Sequence, residues 1–192
     1  MSLLSEKKNF PEPKYKVFVS YRHSREDQEY RDHLEETLMA NQDVVLMKPA
    51  PLSGIDHTLD AQSIAQKIQE AYLKDSTVTL VLVGAETWQQ KNVDWEIGAS
   101  LGELPQHSKS GLLGIILPTY HSKERTQQYD PHTIPPRLYD NVKCGYAAIY
   151  DWDTDPFIVQ KWIHDAFERR NQVVPDNSRP AFTDDLLGER WR

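Results

Sequence analysis

Thr77–Val83 (TVTLVLV), closed by Gly84, is the stretch that decides the fold. It is β-branched and almost wholly apolar. A half-buried strand alternates between polar and apolar residues. A strand that is apolar on both faces lies inside a parallel sheet with helices packed on either side. Gly111–Leu117 (GLLGIIL), stopped by Pro118, is a second run of this kind. Central strands of this type set the expectation of an α/β domain.

The flanking segments fill in the layers. Lys16–Ser20 (KVFVS), Asp43–Met47 (DVVLM) and Gly145–Tyr150 (GYAAIY) read as further strands. Ser24 stands three residues before Asp27, a capping-box-like helix start. Tyr30, Leu34 and Leu38 follow at helical spacing, with Asn41 as the stop. Ile64, Ile68, Ala71 and Tyr72 form the apolar stripe of a second helix, and Ile158, Trp162, Ile163 and Ala166 that of the last. Val93, Trp95 and Ile97 alternate like a strand, but Val93, Ile97, Leu101 and Leu104 recur at helical spacing. The helix explains more residues and keeps strands alternating with helices. Pro49, Pro51 and Gly54 mark a loop. Residues 118–143 are polar, carry Pro131, Pro135 and Pro136, and read as a long loop. The expectation is a doubly wound α/β domain of about five parallel strands flanked by helices. It spans 15–172, after a flexible lead-in over 1–14. A Pro-containing tail over 173–192 either docks through Phe182, Leu186 and Trp191 or is mobile.

Bulk properties narrow the function classes. A chain of 192 residues fits one domain with a core that needs no staples. A formal net charge of −7 argues against non-specific nucleic-acid binding, which rests on a basic surface. The lone cysteine, Cys144, forms no intrachain disulfide and no cysteine-based zinc site. It reads as a small residue packed near a strand start. The histidines lack metal-like spacing, so no metal is expected. No apolar stretch approaches the roughly 20 residues of a membrane helix, and no signal-peptide run opens the chain. A cytoplasmic protein with no membrane partner is expected.

In open parallel sheets, ligands bind beyond the carboxyl ends of the strands, where the winding reverses. For a strand order 2-1-3-4-5 that point lies between strands one and three. Two segments become suspects: Ser20–Ser24, and the run from Gly84 into the helix bearing Glu96. Ser20 and Tyr21 offer hydroxyls and Arg22 a planar cation. The helix start at Ser24 either presents free backbone donors to a phosphate or is simply capped, with Glu26 and Asp27 complementing its dipole. Glu96 lies between Trp95 and Ile97, and a carboxyl against apolar walls near a switch point is a candidate for tuned electrostatics. Gly98–Gly102 (GASLG) matches the G-x-S-x-G elbow of α/β hydrolases, which needs a strand running straight into the serine. Ser100 falls inside the helical stripe instead. Neither G-x-G-x-x-G nor a Walker A loop is present, which argues against a Rossmann dehydrogenase and a P-loop ATPase.

Four segments together resemble a TIR domain, specifically the TIR-like ThsB proteins of bacterial Thoeris anti-phage defence. They are VFVSYRHSREDQEYRDHL (Val17–Leu34), SIAQKIQEAYLKDSTVTLVLVG (Ser63–Gly84), TWQQKNVDWEIGASL (Thr87–Leu101) and GLLGIILP (Gly111–Pro118). The resemblance runs from about residue 15 to about 170. It implies a flavodoxin-like TIR fold and NAD glycohydrolase or cyclase chemistry, with NAD as substrate and no cofactor. Glu96 takes the place of the catalytic glutamate in the helix after strand three. Phe18, Ser20, Tyr21, Arg22 and His23 would line the nicotinamide and ribose side, with Trp95 as a further substrate contact. The loop Pro49–Thr58 would cover the site. The usual TIR signature places tryptophan and cysteine before the glutamate; here Asn92 and Val93 stand there, which matches the ThsB-like branch. The implied product is an ADP-ribose-derived signal, cyclic or conjugated, that reaches a separate effector protein. An infection-derived activator and self-association belong to the same expectation. The alternative is a non-catalytic TIR-like interaction module.

Overall fold

The computed structural model describes residues 14–47, 58–102, 108–121 and 129–192. Strands β1 (Tyr15–Ser20), β2 (Val44–Leu46), β3 (Val78–Val83), β4 (Gly111–Ile116) and β5 (Ala147–Asp151) form one sheet in the order β2-β1-β3-β4-β5. Every pairing is parallel. The helices are α1 (Arg25–Leu38), α2 (Ala61–Ile68), α3 (Lys91–Leu101), α4 (Pro136–Lys143) and α5 (Pro156–Arg169). This is the flavodoxin-like order assumed from the sequence, and it puts the winding reversal between β1 and β3.

Burial explains the layering. All positions of β3 and of β4 are buried. Val17, Val19, Leu80, Leu82, Leu113 and Ile115 point to one face, against Leu34 and Leu38 of α1 and Val159 and Ile163 of α5. Val81, Val83, Leu112 and Ile116 point to the other, against Val93 and Ile97 of α3 and Leu138 of α4. On that second face Phe18 packs with Ile64 and Ile68 of α2 and with Trp95 and Ala99 of α3. Helix α5 comes so close to β4 that a Cβ on Gly111 would lie 2.2 Å from the Ala166 carbonyl oxygen.

Several local expectations are corrected. The stretch 118–143 is not all loop: Pro136–Lys143 is helical, with proline in the first turn and Leu138 and Asn141 buried. Proline is a breaker inside a helix but is suited to its first turn, where no N–H is needed. Helix α2 runs into a π turn over Gln69–Leu73. The wider turn rotates the stripe, so Gln69 and Leu73 face inward while Ala71 is exposed. Cys144 is not packed at a strand start; it follows α4 and is exposed. Helix α1 ends at Leu38, before Asn41. Leu104, the lead-in apart from Lys14, and the loop Pro49–Thr58 apart from Thr58 lie outside the described residues.

The tail docks. Leu186 N–H donates to the Gln89 carbonyl at 2.7 Å, and Trp191 donates its backbone N–H to His132 O and its indole N–H to Ile134 O. Among the described residues no helix is long and apolar enough to cross a membrane, and no cluster of three or more His, Cys, Asp or Glu is placed to hold a metal.

Gly111→Ala tests the seat of α5. Its Cβ would meet backbone, which cannot rotate away. The substitution is expected to destabilise by about 3 kcal/mol or more, read from urea unfolding midpoints.

Candidate active site

Strand periodicity sorts the residues at the tip of β1. Successive side chains point to opposite faces. Phe18 and Ser20 therefore face α2 and α3, while Val19 and Tyr21 face α1 and α5. Opposite Ser20, the mid-part of α3 presents Glu96. The Ser20 hydroxyl donates to Glu96 Oε2 at 2.5 Å, and both side chains are buried, Glu96 at 2 % exposure.

This burial sets the electrostatics. Withdrawal from water disfavours the charged carboxylate and pushes the Glu96 pKa up to about 8, against the opposing pull of the Ser20 hydrogen bond. The group is therefore mostly protonated at neutral pH, in contact with a hydroxyl that can orient it. A cation arriving beside it would favour its ionised form.

The remaining expected site residues divide into separate groups. Phe18 lies beneath Ser20 on the same face, packed against Trp95. Tyr21 is on the other face, where its hydroxyl donates to Gln28 Oε1 at 2.5 Å. His23 stacks on Tyr21 with ring centroids 4.6 Å apart and planes 6° from parallel. Arg22 crosses the sheet tips to pair with Glu86, just beyond β3, at 2.5 Å. Trp95 sits in the wall between α2 and α3, and its indole N–H donates to Phe182 O of the tail. The structure thus brings together Phe18, Ser20 and Glu96. It sets Tyr21 and His23 apart from them, on the α1 side.

The start of α1 is closed by its own residues. Ser24 Oγ accepts from Asp27 N–H at 3.2 Å. Asp27 is itself buried and its pKa raised by burial. Its carboxylate lies so near Gly84 that a Cβ there would come within 2.8 Å of Oδ1. With Glu26 in the same turn, this end of α1 carries carboxylates where a phosphate was considered. Ser100 is fully buried within α3 and donates to the Ile97 carbonyl at 2.9 Å, so no nucleophile elbow exists there.

Sequence reasoning missed how α3 is held. Asp94 is buried and takes two hydrogen bonds from Arg137 of α4, at 2.9 and 3.2 Å. Gln69, turned inward by the π turn, donates to Ala99 O at 2.6 Å and Gly102 O at 3.1 Å, closing the carboxyl end of α3. The inward turn of Gln69 had no signal in the apolar pattern. The pairing of Asp94 with Arg137 joins residues 43 positions apart.

No curated protein matches the chain. The family model described as "Thoeris protein ThsB, TIR-like domain" matches residues 18–122, from β1 through the segment after β4, and this span includes Ser20 and Glu96. It ends before Arg137 and the tail. With more than half of its length matched and the expected parallel sheet in place, the chain belongs to the Thoeris ThsB TIR-like domain family.

Proposed function

We propose that the protein cleaves NAD at its nicotinamide–ribose bond and turns the ADP-ribose part into a signalling nucleotide. The observation that carries this reading is the buried Ser20–Glu96 pair at the tip of β1. The bond between ribose C1′ and the pyridinium nitrogen breaks, and its electron pair leaves with nicotinamide, which departs neutral. The ribosyl group becomes oxocarbenium-like, as in glycoside hydrolysis. Glu96 ionises as the cationic substrate seats beside it and stabilises the developing positive charge. Ser20 holds the carboxyl in register. Capture by water gives ADP-ribose and capture by a nucleophile within the same molecule gives a cyclic product; either route releases one proton. Phe18 supports the floor below the pair. Arg22 and Trp95 complete the proposed substrate surroundings, while Tyr21 and His23, on the α1 face of the sheet, lie outside them. The product diffuses to a separate effector protein, and an infection-derived cue starts the reaction.

Family membership supports the defence context. The carboxyl environment supports the chemistry, because an interaction surface has no use for a glutamate desolvated this fully.

Expression of Glu96→Gln beside the wild type in infected bacteria, with NAD-derived products followed by mass spectrometry, tests the reading. Product formation is expected to fall on the order of 10²–10³-fold. Equal product levels would remove Glu96 from the mechanism, and no product from either protein would favour the interaction module.

The pH dependence of stability provides a test independent of turnover. Burial raises the Glu96 pKa in the folded protein to about 8 from its ordinary 4.5. Below pH 4.5 the carboxyl is protonated folded or unfolded and exacts no penalty. From there to about pH 8 the unfolded chain releases the proton while the folded chain keeps it, so stability falls. The slope is about 1.4 kcal/mol per pH unit. Glu96→Gln removes this term. Its stability relative to the wild type is expected to rise between pH 5 and pH 8, measured by urea midpoints; a difference constant with pH would contradict the buried neutral acid.

A further inference from the structure

The residues on either side of Glu96 are gripped by a segment far away in sequence. Phe182 N–H donates to Asp94 Oδ2 at 3.0 Å, and Phe182 O accepts from the Trp95 indole at 2.7 Å. A single tail residue therefore holds both positions immediately before Glu96. Asn177 Nδ2 donates to Gly98 O at 3.0 Å, holding the helix two residues after it. Asp185 Oδ1 accepts from Lys91 N–H at 2.9 Å. Helix α3 has no local side-chain cap, since its N-cap residue Gln90 makes no capping hydrogen bond. The carboxylate that meets its first N–H comes from the tail.

Arg137 ties this together. While its Nε and Nη2 hold Asp94, Nη1 donates to Asn177 Oδ1 at 2.7 Å and Nη2 to Pro180 O at 3.3 Å. Asn141, one turn along α4, exchanges two hydrogen bonds with Asp176. The segment 176–186 is thus fastened to α4 at one end and to α3 along its length. Asp94 and Gly98, each two residues from Glu96, lie on the opposite side of α3 from it.

We infer that Asn177, Phe182 and Asp185 are positioning residues, and that the segment 176–186 is a strap that sets the rotation and height of α3 so that Glu96 meets Ser20. This rests on the reading of Glu96 as the reacting carboxylate. The strap touches no substrate; it acts through the helix. Its hydrogen bonds run to the backbone of α3 and to the polar groups of residues 94 and 95, so they resist both twisting and sliding. Gln69 holds the opposite end, at Ala99 and Gly102. Loosening the strap would leave α3 held by Gln69 and by the Arg137–Asp94 pair alone, and let the helix shift enough to bring the Glu96 carboxyl into water.

The test uses the double variant Asn177→Ala/Asp185→Ala. Both residues are exposed, so their loss opens no core cavity; Arg137 loses one acceptor but keeps Asp94 and Pro180 O. The Glu96 carboxyl is titrated by carbon-13 NMR, and amide exchange is followed along α3. Besides Ser20, the phenol of Tyr21 is coupled electrostatically to this carboxyl, and neither group is altered. The expected result is a midpoint lowered by about one unit or more from about 8, with at least about tenfold faster exchange at the start of α3. Asp185→Asn alone, which keeps a capping acceptor, is expected to stay near the wild type. Wild-type titration and wild-type exchange in the double variant would overturn the strap. In infected cells the double variant should form about tenfold less product. Failure of the chemical reading appears separately, as unchanged product from Glu96→Gln while the titration still moves.

Discussion

A carboxyl group withdrawn from water against a single hydroxyl is the constraint on which the rest of this molecule turns. Burying an acid is costly unless it is neutral or paired. Among the described residues Glu96 has no cation beside it and hydrogen-bonds to Ser20 alone. It is consequently held in its protonated form over most of the neutral range. The neighbouring carboxylate in sequence takes the other course. Asp94 is as deeply buried, yet it is matched by Arg137 and by Phe182 N–H. Two acids two residues apart on one helix thus sit in opposite environments. The paired one anchors the helix, and the unpaired one is left free to change its charge.

The sheet makes that contrast possible. Because β3 and β4 are apolar on both faces, helices must cover both sides, and α3 lies against the face that carries Phe18 and Ser20. Parallel pairing from β1 to β3 then places the Ser20 end of β1 beside Val81, with the carboxyl ends of both strands on one side of the sheet. The crest is tied by side chains from each strand exit. Arg22 reaches Glu86, and Asp27 sits over Gly84 within 3.4 Å of the Thr119 hydroxyl. The missing side chain at Gly84 is what lets Asp27 come down onto the end of β3.

Much of this was legible in the sequence. TVTLVLV and GLLGIIL announced central parallel strands, and the alternation of elements gave the doubly wound class, within which the strand order was an assumption that the structure bears out. Glu96 stood out because Trp95 and Ile97 leave it a narrow polar side. The site was less legible where one contiguous segment was read as one surface. Phe18 to His23 contains a strand end, and a period of two divides it between opposite faces. Ala71 was misplaced because a π turn is invisible to a stripe drawn at regular helical spacing. Helix α4 was hidden by prolines that in fact open it. The strap left the least trace. Its key contacts at Phe182 are made by backbone N–H and C=O, which every residue has, so no side-chain pattern could report them.

The charge balance at Glu96 governs when the proposed reaction can run. At pH 7, ionising a carboxyl of pKa about 8 takes about 1.4 kcal/mol. A pyridinium or ribosyl cation about 4 Å away, at an effective dielectric near 20, returns roughly 4 kcal/mol. In the proposed complex the second quantity would exceed the first, so a cation bound there would favour the ionised carboxylate that stabilises it. That balance depends on distance and on exclusion of water. If α3 rotates, the carboxyl is hydrated and ionised beforehand, and its attraction for the cation is weakened by solvent. Holding the helix firmly and keeping the acid neutral at rest are therefore one requirement. It is met from three directions: Ser20 on β1, Gln69 at the far end of α3, and the tail along its back.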